Sequence, residues 1–174
     1  SLEAQKENKH IRKGNELYQQ KKFDEAEIEY RKALEKNKEA AKALYNLSNA
    51  LYRQKRYKEA SAILDSLAAK TKDPKELSRL YHNLGNALLE DKAYDKSVEA
   101  YKKALKQDPT AEDTRYNLSY ALKKLQRQQQ EQQQQQQKKQ QQPKDNNQQK
   151  QTDQKPQQPK EEQRKQQIIR DEAE

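Results

Sequence analysis

The sequence predicts an all-α chain: an α-solenoid of three stacked helix pairs closed by a C-terminal capping helix, then a glutamine-rich low-complexity tail. Three observations predict it. The small residues Gly14, Ser48, Gly85 and Ser119 occupy one place in a recurring pattern and are separated by 34, 37 and 34 residues. A period of that length marks a two-helix unit that buries its apolar face against its neighbours. Within each unit the apolar side chains recur at spacings of three and four, which puts them on one helix face. Finally, the composition divides sharply. Residues 1–125 hold nearly all the apolar side chains, whereas 22 of the last 49 residues are glutamine.

The first pair occupies about residues 7–40. Its first helix carries Ile11, Gly14, Leu17 and Tyr18, and its second carries Phe23, Ala26, Ile28, Tyr30, Ala33 and Leu34, with a polar turn at Gln19-Gln20-Lys21-Lys22. The second pair, about 41–77, repeats this with Leu44, Leu47, Ser48 and Leu51, then Tyr57, Ala60, Ile63, Leu64 and Leu67. It ends at Asp73-Pro74, where proline cannot continue a helix. The third pair, about 78–111, carries Leu80, Tyr81, Leu84, Gly85, Leu88 and Leu89, then Tyr94, Ser97, Val98, Tyr101, Ala104 and Leu105. Residues 112–125 match a first helix with Ser119 in the small position, and no second helix pattern follows. This reads as a cap over the last pair. The small residues are expected where paired helices cross, facing Ala26, Ala60 and Ser97, because two backbones approach closely only without bulky side chains.

From residue 126 no apolar residue appears before Ile168. Such a segment cannot bury enough surface to offset its ordering entropy. Glutamine and lysine have fair helix propensity, so the capping helix is expected to run on to about residue 142. Pro143 should stop it, with disorder beyond and an amphipathic start in 161–174.

Composition excludes several functions. There is no cysteine, so neither a disulfide nor a thiolate site exists. His10 and His82 are too isolated for a metal centre, and no cofactor is expected. Two separated glycines cannot make a phosphate loop, and no serine or carboxylate stands at triad spacing from a histidine, so the chain is read as no enzyme. No apolar run approaches the ~20 residues that cross a bilayer. The net charge of +9 is interspersed with acids, as in KKFDEAEIEYRKALEKNKE. It reads as solvated helix faces and not as a nucleic-acid stripe. The chain starts at Ser1 and has no methionine, which favours a removed export signal.

The patterns Tyr-Asn-Leu-Ser-Asn-Ala-Leu-Tyr at 45–52 and His-Asn-Leu-Gly-Asn-Ala-Leu-Leu at 82–89 resemble the tetratricopeptide repeat (TPR) family. So do Tyr57-x2-Ala60, Tyr94-x2-Ser97 and the Tyr-x2-Ala steps at 30–33 and 101–104. The resemblance implies antiparallel helix pairs whose first helices line a concave groove that binds a peptide or partner protein. A narrower resemblance rests on the Asp113–Leu122 cap segment, the Gln/Lys/Pro tract and the closing segment. These are similar to the exported TPR proteins of the bacterial aerotolerance (Bat) operon. That likeness implies a periplasmic, inner-membrane-associated role in assembling an envelope complex, with a von Willebrand factor A-domain membrane partner and only indirect membrane contact. A cytoplasmic location is the alternative. Self-association through end helices or the tail is compatible with either.

The expected groove residues are Asn15, Tyr45, Asn46, Asn49, Tyr52, Arg53, Arg79, His82, Asn83, Asn86, Tyr116 and Asn117. The asparagines recur beside the small residue and two before it. Their amides offer both donors and acceptors, which suits either an extended peptide or bonds between helices. Tyrosine and arginine are common interface anchors. Some TPR co-chaperones clamp a C-terminal carboxylate with two asparagines and three cations. By resemblance Asn15, Asn46 and Arg79 occupy clamp places, while Ile11 and Asn83 stand where cations are needed.

Overall fold

The structure, a computed structural model, describes residues 1–141. The expectations for Pro143 and beyond lie outside the described residues. Seven helices are present among them and no strand: α1 Leu2–Gln19, α2 Phe23–Lys36, α3 Ala41–Arg53, α4 Tyr57–Lys70, α5 Pro74–Glu90, α6 Tyr94–Gln107 and α7 Glu112–Gln141. Ser1–Gln129 form one compact unit, and the boundary to a second falls at Gln130, inside α7.

Helix starts and stops follow local chemistry. Before α5, the Asp73 carboxylate accepts from the Glu76 amide at 2.9 Å and Pro74 takes the first turn, where its missing N–H is no loss. The α1–α2, α3–α4 and α5–α6 turns share one C-cap. After α1, Lys21 donates to the Tyr18 carbonyl and Lys22 to that of Leu17, both at 2.9 Å. The same pair of bonds recurs through Lys55 and Arg56, and through Lys92 and Ala93. This Schellman arrangement needs a left-handed residue, and Lys21, Lys55 and Lys92 supply it at φ 61°, 61° and 62°. Glycine normally takes that place. A lysine there carries roughly 1–2 kcal/mol of strain, partly offset by glycine's freedom in the unfolded chain. Lys55→Gly should therefore stabilise the unit by about 0.5–1 kcal/mol, read as a higher urea midpoint. A lower midpoint would show that the lysine makes a compensating contact.

The core sits between paired helices. Tyr30 and Tyr101 are its largest fully buried side chains, and alanines at 26, 33, 50, 60, 87, 104 and 121 are fully buried around them. One finding corrects the sequence reading. The bulk that the glycines make room for is a tyrosine ring, not the small residues of the second helix. A Cβ at Gly14 would lie 2.5 Å from Tyr30 Cε1, and one at Gly85 2.5 Å from Tyr101 Cδ1. Ser97 does reach the crossing, donating to the Gly85 carbonyl at 2.8 Å. Buried carboxylates join neighbouring elements. Glu27 accepts from Arg31 and Gln54, and Arg56 completes its shell. Burial raises the Glu27 carboxyl, but those partners outweigh it and hold the group below the usual 4.5.

Candidate functional site

The first helices α1, α3, α5 and α7 lie side by side, and their asparagines form a ladder. Asn15 Oδ1 accepts from Tyr30 Oη at 2.8 Å and from Asn46 Nδ2 at 2.9 Å. Asn86 Oδ1 repeats this, accepting from Tyr101 Oη at 2.6 Å and from Asn117 Nδ2 at 3.0 Å. Both carbonyl oxygens are then saturated, since each holds two lone pairs. Burial pushes the Tyr30 hydroxyl up to about 12, so it stays a neutral donor. Asn83 donates to Tyr45 Oη at 2.9 Å.

Asn49 breaks the pattern. The tyrosines stand fifteen residues after Asn15 and Asn86, but the residue fifteen after Asn49 is Leu64. Asn49 therefore has no hydroxyl partner, and among the described residues its amide makes no hydrogen bond. It lines a cavity of about 270 Å³ with Asn15, Tyr18, Gln19, Tyr30 and Asn46. Asn15 and Asn86 tie the helices together, while Asn49, with Asn15 and Asn46, lines this cavity.

A larger cavity, about 690 Å³, adjoins it and shares Asn15 and Asn46. Tyr45 and Arg79 line it, and the Arg79 guanidinium lies 4.6 Å from the centre of the Tyr45 ring. That stacking orients the cation and uses the ring quadrupole. Its ion pair with Glu76 is long, at 3.7 Å. Two further cations, Arg12 and Lys42, line the same cavity. Sequence reasoning missed both. The signal was present, because Arg12 follows Ile11 directly and Lys42 stands three residues before Tyr45 on one helix face. Ile11 is 8% exposed and packs with Ala33, Ala40 and Ala43.

The other expected residues are placed as follows. Tyr52 packs edge-on against Tyr57 at 5.3 Å and joins the core. Arg53 lies over the Phe23 ring at 4.6 Å. Tyr116 stands on α7, 75% exposed. His82 Nδ1 is 2.8 Å from Thr114 Oγ1, joining α5 to α7, and its ring tilts against Tyr101. Burial holds the His82 imidazole below its usual 6.5, against the opposing pull of Asp113. The unfolded chain then binds more protons just below that value, so stability falls as pH drops through it. The melting temperature should decline as the pH falls below about 6.5, above the range where Glu27 and Glu29 titrate. His82→Gln should flatten that decline, and an unchanged slope would remove His82 as its cause.

Among the described residues no group of His, Cys, Asp and Glu is placed to hold a metal ion, and no helix is long and apolar enough to cross a membrane.

Family models of the tetratricopeptide repeat match residues 11–75 and 85–126. The chain carries tetratricopeptide repeats. Neither matching TPR model describes a catalytic domain. The Hsp70-Hsp90 organising protein of Plasmodium falciparum (isolate 3D7) is 34% identical over 125 residues, 70% of this chain and 21% of that protein. This chain thus spans about a fifth of the length of that relative. Among solved structures, the TPR2AB domain of yeast Sti1 in complex with pHSP90 superposes at a TM-score of 0.61. It is 29% identical, covering 70% of this chain and 48% of that one. The first TPR domain of Spaghetti (RPAP3), bound to the HSP90 peptide SRMEEVD, reaches 0.64 at 21% identity over 70% and 94% of the two chains, a likeness of fold. These likenesses support TPR repeats and do not extend to the aerotolerance resemblance. Export and a von Willebrand factor A-domain partner therefore remain expectations.

Proposed function

We propose that this chain is a protein-interaction scaffold whose TPR groove holds an extended peptide, with an acidic C-terminal end seated between α1, α3 and α5. The observation that carries this is the cavity shared by Asn15, Asn46 and Arg79 with Arg12 and Lys42. It gathers three cations against one carboxylate, Glu76, beside amide groups with unused hydrogens. The two cations absent from the clamp places at Ile11 and Asn83 are supplied one residue and one helix away. Hydrogen bonds from charged donors to a carboxylate are the strong ones, so this end of the groove favours a peptide anion. The HSP90 ligands of the Sti1 and Spaghetti structures support the same class of partner.

The test is a titration of fluorescein-labelled SRMEEVD with the intact chain. Saturable binding is expected, weakened about tenfold by Arg12→Ala combined with Lys42→Ala and by added salt. A variant that binds as tightly as the wild type would remove those cations from the site.

A further inference from the structure

Helix α7 has the register of a first helix, and among the described residues no second helix follows it. In α1 and α5 the small residue lies under a tyrosine sixteen residues on, supplied by the following helix. In α7 the small residue is Ser119, and the residue sixteen on, Gln135, still belongs to α7. Ser119 is exposed. Leu122 is 45% exposed, where its counterpart Leu51 is fully buried. Tyr116 and Tyr120 extend the same open surface. Arg115, Ser119, Leu122 and Lys123 stand three and four apart, so they share one helix face.

The charge of this face points to its occupant. From Thr114 to Gln129, α7 carries Arg115, Lys123, Lys124 and Arg127 and no carboxylate. The first helix pair shows how side-chain donors in this register are met. His10 stands four residues before Gly14, and it and Lys13 reach Glu29 of the covering helix at 2.8 and 3.5 Å. Arg115 stands four residues before Ser119, in the register of His10. Four residues after the small position, α1 and α3 place Tyr18 and Tyr52 against the aromatic that opens the next helix. There α7 has Lys123, which suits a carboxylate. The like charges also disfavour pairing with α7 of a second copy.

We infer that the face of α7 formed by Arg115, Ser119, Leu122 and Lys123 docks an acidic amphipathic helix of a partner protein, which completes a fourth helix pair in trans. This surface lies outside the cavity that Arg12, Lys42 and Arg79 line, and the inference does not depend on what that cavity binds.

The segment FDEAEIEYRKALEK of α2 is a helix of this type, with five carboxylates against three cations. A fluorescein-labelled peptide of that sequence is the probe for anisotropy titration of the intact chain. Saturable binding is expected. Arg115→Glu with Lys123→Glu should weaken it at least about tenfold, and Ser119→Tyr, which fills the place of the incoming side chain, should do the same. These positions are exposed, so circular dichroism should stay as in the wild type. A peptide with its five carboxylates changed to amides should not bind. Absence of saturable binding overturns the inference, as does equal binding by either variant. A dimer in sedimentation equilibrium that Ser119→Tyr dissociates also overturns it, because a second copy would then be the occupant.

Discussion

Gly85→Leu should destabilise the packed unit by about 1–3 kcal/mol, the range for overpacking a filled core. Even the first carbon of a side chain at residue 85 meets Tyr101 Cδ1 and Cε1 at 2.5 Å, and Tyr101 is fully buried. The ring cannot swing away freely, since its hydroxyl is tied to Asn86 at 2.6 Å. Gly85→Ala should therefore already destabilise, despite alanine's better helix propensity. The second repeat supplies the control, because there the pair is Ser48 and Leu64. Gly85→Ser combined with Tyr101→Leu copies that pair and should be more stable than the two single losses added together. Urea unfolding at constant slope measures this. An unchanged midpoint for Gly85→Leu would contradict the assigned helix crossing.

Arg79→Ala should weaken binding of an acidic peptide about tenfold to hundredfold, the effect of removing a hydrogen bond to a charged group at about 1.5–3 kcal/mol. Arg79→Lys should fall between, keeping the charge but losing the planar stack on Tyr45 that lies at 4.6 Å. The asparagines separate two roles. Asn49 has no hydroxyl partner, so Asn49→Ala should lower affinity and leave the unfolding midpoint alone. Asn15 accepts from Tyr30 and Asn46, so Asn15→Ala should also lose about 1–3 kcal/mol of stability by leaving a part-buried hydroxyl unpaired. Equal stability losses for both variants would contradict this division.

The helix pairs were legible in the sequence because each carries a small residue, an apolar stripe and a turn at fixed register. Asp73-Pro74 announced the start of α5 by itself. The turns were harder to read. Lysine at 21, 55 and 92 adopts a backbone conformation for which glycine is the usual signal, so the Schellman caps showed only as polar turns. The glycine–tyrosine contact was legible in principle, since Gly14 and Gly85 pair with Tyr30 and Tyr101 while Ser48 pairs with Leu64. Proximity of alanines along one helix face suggested the wrong partners. Asn15, Asn46 and Arg79 were singled out by resemblance, and they line one cavity. Arg12 and Lys42 were missed because which cations converge depends on how α1, α3 and α5 lean together, although both stand close in sequence to residues of that cavity. Tyr52 belongs to the core, because its ring finds Tyr57 across the turn.

The central claim, that the cation-lined end of the groove seats a peptide's terminal carboxylate, is tested most directly by comparing SRMEEVD as the free acid with the same peptide carrying a C-terminal amide. The account predicts that the amide binds about tenfold or more weakly at low salt and that Arg79→Ala erases most of the difference. Equal affinity of the two peptides would contradict it.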